Sequence, residues 1–240
     1  MQIKIENICL IHGWGSNIKK LKPLKQKLTK LDFNPYTPKL PYFDYPEPNI
    51  PWNNANFAKL IKKKCSKHFK NQPYYLFGHS FGGRITIKIA QNNPSCLTGV
   101  ILCASAGISR DSFTKRAFFK ILSLVVKPLK KIPFLKHIIN KVLIKLTGNG
   151  DYTKITTTNK KETFKNIIKE SQKNQSKKIN LPTLIIWGKK DTITPLQDAH
   201  FLNQHIKDSK LKLISQGTHT IPYTHSDKIA KTIHSWTSLL

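Results

Sequence analysis

The sequence predicts an α/β fold, a doubly wound and mostly parallel sheet with an inserted helical cap, and three observations predict it. Short apolar runs alternate with stretches of helical spacing, the pattern of strands joined by crossover helices. The alternation breaks over residues 111–178, where helical patterns follow one another with no convincing strand, and then resumes. At the centre, Tyr74-Tyr75-Leu76-Phe77 leads straight into Gly78-His79-Ser80-Phe81-Gly82-Gly83, and a helix-like pattern leads away through Ile85, Ile87, Ile89 and Ala90.

Taken in order, Lys4 to Ile11 reads as a buried strand that meets the glycine loop His12-Gly13-Trp14-Gly15-Ser16. From Asn17 to Leu31, Ile18, Leu21, Leu24, Leu28 and Leu31 recur at the spacing of a surface helix with one buried stripe. Phe33 to Leu40 is a shorter, proline-marked strand, and the proline-rich, aromatic stretch from Pro41 to Pro51 is a loop able to line a pocket. A helix over Asn54–Phe69 turns Phe57, Leu60 and Ile61 inward and leads to the strand before the glycine-flanked serine. Leu97 to Ala104 is a nearly continuous apolar strand, the kind that a parallel sheet buries on both faces. Helical patterns around Phe113–Val126, Phe134–Leu146 and Lys160–Glu170 then fill the interruption, so residues 1–110 and 179–240 are expected to form the core and 111–178 the cap. Strands at Thr183–Trp187 and Leu211–Ser215 follow, with helices at Pro195–Ile206 and Ser226–Trp236.

A chain of 240 residues is long enough for one sizeable core. Lysine and arginine number 41 against 12 acidic residues, a formal charge of +29, which raises nucleic acid and anionic membranes as partners. The lysines are spread over the whole chain, usually on the solvent side of the apolar pattern. No zinc-ligand spacing, RNP-like aromatic motif or compact basic arm accompanies them, and no specific nucleic acid is expected. Positive charge is about twice as dense in the cap as elsewhere, where Lys115, Arg116 and Lys120 interleave with Phe118, Phe119 and Ile121. Such helices suit an acyl-chain pocket and an anionic lipid surface. The same pattern also arises when apolar residues pack on the core and lysines solvate the outside. Cys9, Cys65, Cys96 and Cys103 form no C-x-x-C pair and read as buried free thiols, with no metal site. No h-region opens the chain and no apolar stretch approaches the roughly 18 residues of a membrane span, so a soluble, cytoplasmic protein is expected.

A strand that turns abruptly into a helix has room only for small residues at the turn, which accounts for glycine two before and two after Ser80. This is the G-x-S-x-G nucleophile elbow, which holds its serine in a strained conformation and lifts the hydroxyl clear of the sheet. A serine nucleophile needs a base to take its proton and an acid to orient that base. In open parallel sheets such groups stand on loops after strand ends. Asp191 stands just past the strand Thr183–Trp187, and His219 just past Leu211–Ser215. Asp191 also suits a capping role before Pro195, which leaves Asp198 as the alternative acid, and His225 competes with His219. His79 is expected to point back into the fold, and His12 to support the glycine loop.

With this elbow, this glycine loop and the order Ser80, Asp191, His219, the chain resembles the α/β-hydrolase fold superfamily, of the capped serine esterase and lipase type. The resemblance covers nearly the whole length apart from the cap. It implies Ser80 as nucleophile, Asp191 as triad acid, His219 as general base, and an oxyanion hole from the backbone N–H groups of Trp14 and Phe81. It further implies a serine hydrolase without cofactor, acting on a small carboxylic ester, and the apolar cap suggests a medium-chain or lipid-like acyl group. Thioester, amide and carbon–carbon bond hydrolysis use the same triad, and a non-catalytic ligand-binding protein can keep the scaffold. Two features depart from relatives. Their P-D-L-P-G-x-G segment reads Pro38-Lys39-Leu40-Pro41-Tyr42-Phe43 here, and the chain starts at the strand before the oxyanion loop, which leaves about six strands.

Overall fold

Six apolar runs form one parallel sheet in the computed structural model, which describes residues 5–108 and 157–240. The strands are β1 (Glu6–Ile11), β2 (Phe33–Tyr36), β3 (Tyr74–His79), β4 (Leu97–Cys103), β5 (Thr183–Gly188) and β6 (Ser209–Ile214). They lie in the order β2-β1-β3-β4-β5-β6, each neighbouring pair parallel. Around them stand α1 (Lys22–Thr29), α2 (Asn54–Phe69), α3 (Phe81–Ala90), α4 (Thr158–Lys169), α5 (Lys173–Ser176), α6 (Leu196–His205), α7 (Ile221–Thr224) and α8 (Ser226–Thr237).

The period-two alternation of each strand sends its side chains to two separate cores. Ile8 and Leu10 of β1 join Tyr75 and Phe77 of β3 under Leu24 and Leu28 of α1 and Ile229, Ile233 and Trp236 of α8. Cys9, Ile11 and Leu76 point the other way, against Phe57 and Ile61 of α2, Ile85 of α3 and Leu202 of α6. Most of these side chains are wholly buried, and each large one stabilises the fold by about 1.5–3 kcal/mol. The cysteines among the described residues are free thiols, three of them buried. No helix of the described residues is long and apolar enough to cross a membrane.

Proline explains where two elements depart from the sequence pattern. The stripe from Ile18 to Leu31 is split into a 3-10 turn at Ile18–Leu21 and α1, because Pro23 has no N–H to continue a helix and fits only its first turn. β2 ends at Tyr36 instead of Leu40. It is an edge strand, where Pro35 is tolerated opposite Ile8, but Pro38 cannot carry the ladder onward. Capping fixes the next helix. The Asn53 side chain accepts the backbone N–H groups of Ala55 and Asn56, while the Asn56 side chain accepts that of Asn53.

The chain divides into two compact units, Met1–Ile108 with Thr158–Leu240, and Ser109–Thr157. The helices expected at Phe113–Val126 and Phe134–Leu146 lie outside the described residues, together with the anionic lipid surface suggested for them. The end of the expected insertion is described, and residues 158–178 fall within the larger unit. Polar contacts hold α4 there. Thr163 Oγ1 lies 2.7 Å from the Tyr42 hydroxyl and accepts the Trp52 N–H at 2.8 Å. Buried Arg84 donates to the carbonyls of Ile167 at 3.0 Å and Glu170 at 2.8 Å, and Lys88 pairs with Glu170 at 2.6 Å. Burial pulls the Arg84 guanidinium down to about 10 against the opposing charges of Glu170 and Asp198, so it stays a cation at neutral pH.

The connection from β1 runs to β2 on one side, whereas that from neighbouring β3 runs to β4 on the other, so the two leave in opposite directions. Such a switch point opens a crevice beyond the carboxyl ends of the two strands. β1 delivers the glycine loop to that crevice and β3 delivers Ser80. The approach is close, for a methyl group on Gly82 would stand 2.8 Å from the Ile11 carbonyl carbon and 2.9 Å from the His12 carbonyl oxygen. Gly82→Ala is therefore expected to lower stability by about 1–3 kcal/mol through overpacking. Urea midpoints of the two proteins measure this, and equal midpoints would mean that β1 and α3 separate without cost.

Candidate active site

Ser80 follows directly on β3 with φ 53° and ψ −112°, a left-handed conformation that costs a non-glycine residue about 1–3 kcal/mol. Surrounding hydrogen bonds hold it there. Its N–H donates to the Cys103 carbonyl at 3.2 Å, and its carbonyl accepts from Gly83 at 2.9 Å and Ala106 at 3.0 Å. The turn leaves Ser80 partly exposed at the N-terminus of α3.

The loops after β5 and β6 bring the other two predicted residues to it. His219 Nε2 lies 2.9 Å from Ser80 Oγ, and His219 Nδ1 lies 2.8 Å from Asp191 Oδ2. With Nδ1–H donating to the carboxylate, Nε2 is left bare toward the serine hydroxyl, the tautomer a base requires. Asp191 divides its oxygens between two tasks. Oδ1 accepts the N–H groups of Ile193 at 2.8 Å and Thr194 at 2.9 Å, which folds the loop before α6. Oδ2 faces His219 and also accepts the Thr194 hydroxyl at 2.8 Å. Burial alone would raise this carboxyl, but the hydrogen bond and charge of His219 and the Thr194 donors outweigh it and hold it below the ordinary range.

Gly13 lies directly against the serine, since a methyl group there would be 3.2 Å from Ser80 Cβ. That brings the next residue, Trp14, to the crevice. Phe81 is the first residue of α3, where an N–H has no intrahelical acceptor. Behind this loop His12 is fully buried, with Nε2 2.9 Å from Asp44 Oδ2 and Nδ1 2.9 Å from the Gly13 carbonyl. Asp44 also accepts the N–H groups of Leu40 at 2.8 Å and Ile18 at 3.0 Å. One carboxylate thus ties the rebuilt loop after β2 to the glycine loop.

Residues 54–224, a span that carries Ser80, Asp191 and His219, match the family model described as serine aminopeptidase, S33. The chain belongs to this family of α/β-hydrolases. Among proteins similar to it, the uncharacterized hydrolase YugF of Bacillus subtilis is 26% identical, over 95% of this chain and 88% of its own. A pimeloyl-[acyl-carrier protein] methyl ester esterase of Neisseria meningitidis is 23% identical, over 94% of this chain and 91% of its own. The esterase of Exiguobacterium antarcticum shares the fold with a TM-score of 0.73 at 19% identity, over 97% of this chain and 92% of that one.

In this α/β-hydrolase the alternative residues stand elsewhere. Asp198 lies in the first turn of α6, where its charge acts on Arg84. His225 contacts the Thr224 hydroxyl at 2.8 Å on an exposed turn. Three participants went unread in the sequence. Thr194 hydrogen-bonds Asp191, and the spacing Asp191-Thr192-Ile193-Thr194 was its signal, since aspartate habitually folds a loop onto the residues two and three ahead. Asp44 and Tyr223 had no comparable local signal. Among the described residues no group of three or more His, Cys, Asp or Glu is placed to hold a metal ion.

Beside the crevice the Trp14 ring packs against Phe43 at 4.9 Å, Phe164 at 5.1 Å and Phe81 at 5.5 Å between centroids. Trp14, Phe43 and Phe164 are only partly buried, so this aromatic cluster on the glycine loop and its neighbours leaves apolar surface open.

Two carboxylates link this region to pH. Asp44, like Asp191, has burial pushing its carboxyl up and stronger hydrogen bonds, from His12, Leu40 and Ile18, holding it below its usual value. A folded-state pKa below the unfolded one gives stability that is present above the unfolded value and lost as pH falls through the folded one. The urea midpoint is therefore expected to decline already below about pH 6.5, where the buried neutral His79 takes up a proton on unfolding, and to fall further below about 4 as these carboxylates lose their charge. A midpoint still flat at pH 3 would overturn this assignment.

Proposed function

We propose that this α/β-hydrolase cleaves carboxylic esters with an apolar acyl group through an acyl-enzyme formed on Ser80. One observation carries the reading, the hydrogen-bonded line from Asp191 through His219 to Ser80 at 2.8 and 2.9 Å. His219 Nε2 takes the Ser80 proton as Oγ attacks the ester carbonyl, and the N–H groups of Trp14 and Phe81 stabilise the oxyanion, by about 3 kcal/mol each. The imidazolium, oriented by Asp191, gives its proton to the departing alcohol. Water then adds to the acyl-enzyme by the same route, and Ser80 leaves with its proton restored.

The aromatic cluster of Trp14, Phe43 and Phe164 supports an apolar acyl chain, and the Neisseria relative is by name a methyl ester esterase. Aminopeptidase activity, which the family description names, requires an acid to hold a substrate α-ammonium. Asp44, on the loop packed against the glycine loop, is already engaged by His12, Leu40 and Ile18, and the formal charge of +29 repels cationic peptides. The test is a series of p-nitrophenyl esters of increasing chain length, run beside an amino acid p-nitroanilide and fluorophosphonate labelling. Ester turnover with an optimum above acetate, with labelling, is the expected result. A folded protein that neither labels nor hydrolyses any ester overturns the proposal and leaves a ligand-binding protein on the same scaffold.

A further inference from the structure

The elbow carries a second histidine, and its contacts run away from Ser80. His79 is 3% exposed, and its Nε2 lies 2.8 Å from the backbone carbonyl of His219. A carbonyl only accepts, so Nε2 carries the proton and donates. A neutral ring then leaves Nδ1 as an acceptor, and the hydroxyl within reach is that of Tyr223, at 3.1 Å. The same hydroxyl lies 3.0 Å from Oγ of Ser16, which ends the glycine loop. Burial first, and the neighbouring charge of His219 second, press His79 down to about 3, so the ring is neutral throughout the working range.

These contacts join three pieces of chain that are far apart in sequence, the elbow, the loop after β6 and the glycine loop after β1. Each piece carries one component of the proposed chemistry, namely Ser80, His219 and the Trp14 N–H. The imidazole of His219 can meet Ser80 Oγ at 2.9 Å only if its own backbone is held in place, and a carbonyl bound from beneath by a buried, uncharged donor on the residue adjoining Ser80 does this. We propose that His79 is a positioning residue, which sets the distance between His219 and Ser80 through the His219 carbonyl and, through Tyr223, ties both to the glycine loop. The inference rests on the ester-hydrolase reading.

Two amide side chains separate the ring's two contacts. A glutamine places its carboxamide nitrogen, a donor, near the position of imidazole Nε2, and an asparagine can turn its carboxamide oxygen, an acceptor, to the position of Nδ1. His79→Gln therefore keeps a donor for the His219 carbonyl, and His79→Asn keeps only the Tyr223 side. Steady-state hydrolysis of p-nitrophenyl butyrate, fluorophosphonate labelling rates and thermal midpoints are measured on wild type, H79Q, H79N and Tyr223→Phe. H79N is expected to lower kcat and the labelling rate about tenfold or more with KM nearly unchanged, because misplacement of a reacting group acts on the chemical step. H79Q is expected to recover most of that loss, although both variants surrender part of the packing of the ring.

An H79N enzyme with wild-type kcat overturns the proposal, and so does an equal fall for H79N and H79Q that follows their thermal midpoints. Should H79N fail to fold, Tyr223→Phe carries the test, with a several-fold fall in kcat expected and an unchanged kcat overturning it. A wild type that neither labels nor turns over ester removes the hydrolase reading and the positioning role together, whereas an active wild type with an indifferent His79 removes only the latter.

Discussion

Ser80→Ala is expected to abolish ester turnover and fluorophosphonate labelling together while leaving the protein folded. The substitution removes the one oxygen that lies 2.9 Å from His219 Nε2, and with it the group that forms the acyl-enzyme. Loss of a serine nucleophile costs on the order of a millionfold in kcat, and the remainder comes from oriented amides and bound water. Alanine meets nearly the same backbone strain at φ 53° that serine already bears, and the hydrogen bonds of Ser80 to Cys103, Gly83 and Ala106 are all made by its backbone. The thermal midpoint should therefore stay close to that of wild type. Rates at the detection limit beside an unchanged midpoint are the expected pair. Turnover within tenfold of wild type would show that Ser80 is not the nucleophile.

Asp191→Asn is expected to lower kcat by about ten-thousandfold with a small change in KM, a size seen where a triad aspartate is replaced by its amide. The physical cause is the tautomer. The Ile193 and Thr194 N–H groups require an acceptor, so the amide oxygen takes the place of Oδ1 and the NH2 group faces His219. An NH2 donor at Nδ1 forces the ring proton onto Nε2, which can then no longer receive the proton of Ser80. The Thr194 hydroxyl, deprived of Oδ2, retains the Ala104 carbonyl at 3.2 Å as an acceptor, so the loop survives. Stopped-assay rates over several hours separate a ten-thousandfold loss from complete inactivity. An Asp191→Asn enzyme within tenfold of wild type would transfer the acid's role to another group.

The fold and the line of three residues were legible because both leave local marks. The alternation of apolar runs with helical stretches is written in strand and helix periods, and the parallel sheet follows from it. Ser80 is marked by glycines that the turn itself demands, while Asp191 and His219 are marked by their places just past two strands. Pro23 and Pro38 show the limit of periodicity, since a missing N–H cuts an element that the apolar pattern would continue. Thr194 was readable in principle, because an aspartate three residues before a threonine is a local loop signal.

What lay beyond the sequence consists of contacts between residues distant along the chain. Asp44 belongs to a loop of prolines and aromatics in which nothing points to His12, and only the folding of the segment after β2 against the glycine loop makes them a pair. The attachment of α4 to the core depends on buried Arg84 meeting the carbonyls of Ile167 and Glu170, more than eighty residues away. Periodicity records which face of an element is apolar, but not what covers it. The sequence by itself determined the strand and helix alternation, the strained serine turn and the order of the three candidate residues, because short-range sterics and spacing encode each of these. Only the tertiary structure decided which oxygen of Asp191 faces His219, what holds the His219 backbone and which aromatic rings pack on Trp14, because those contacts exist only once β1, β3, β5 and β6 lie side by side.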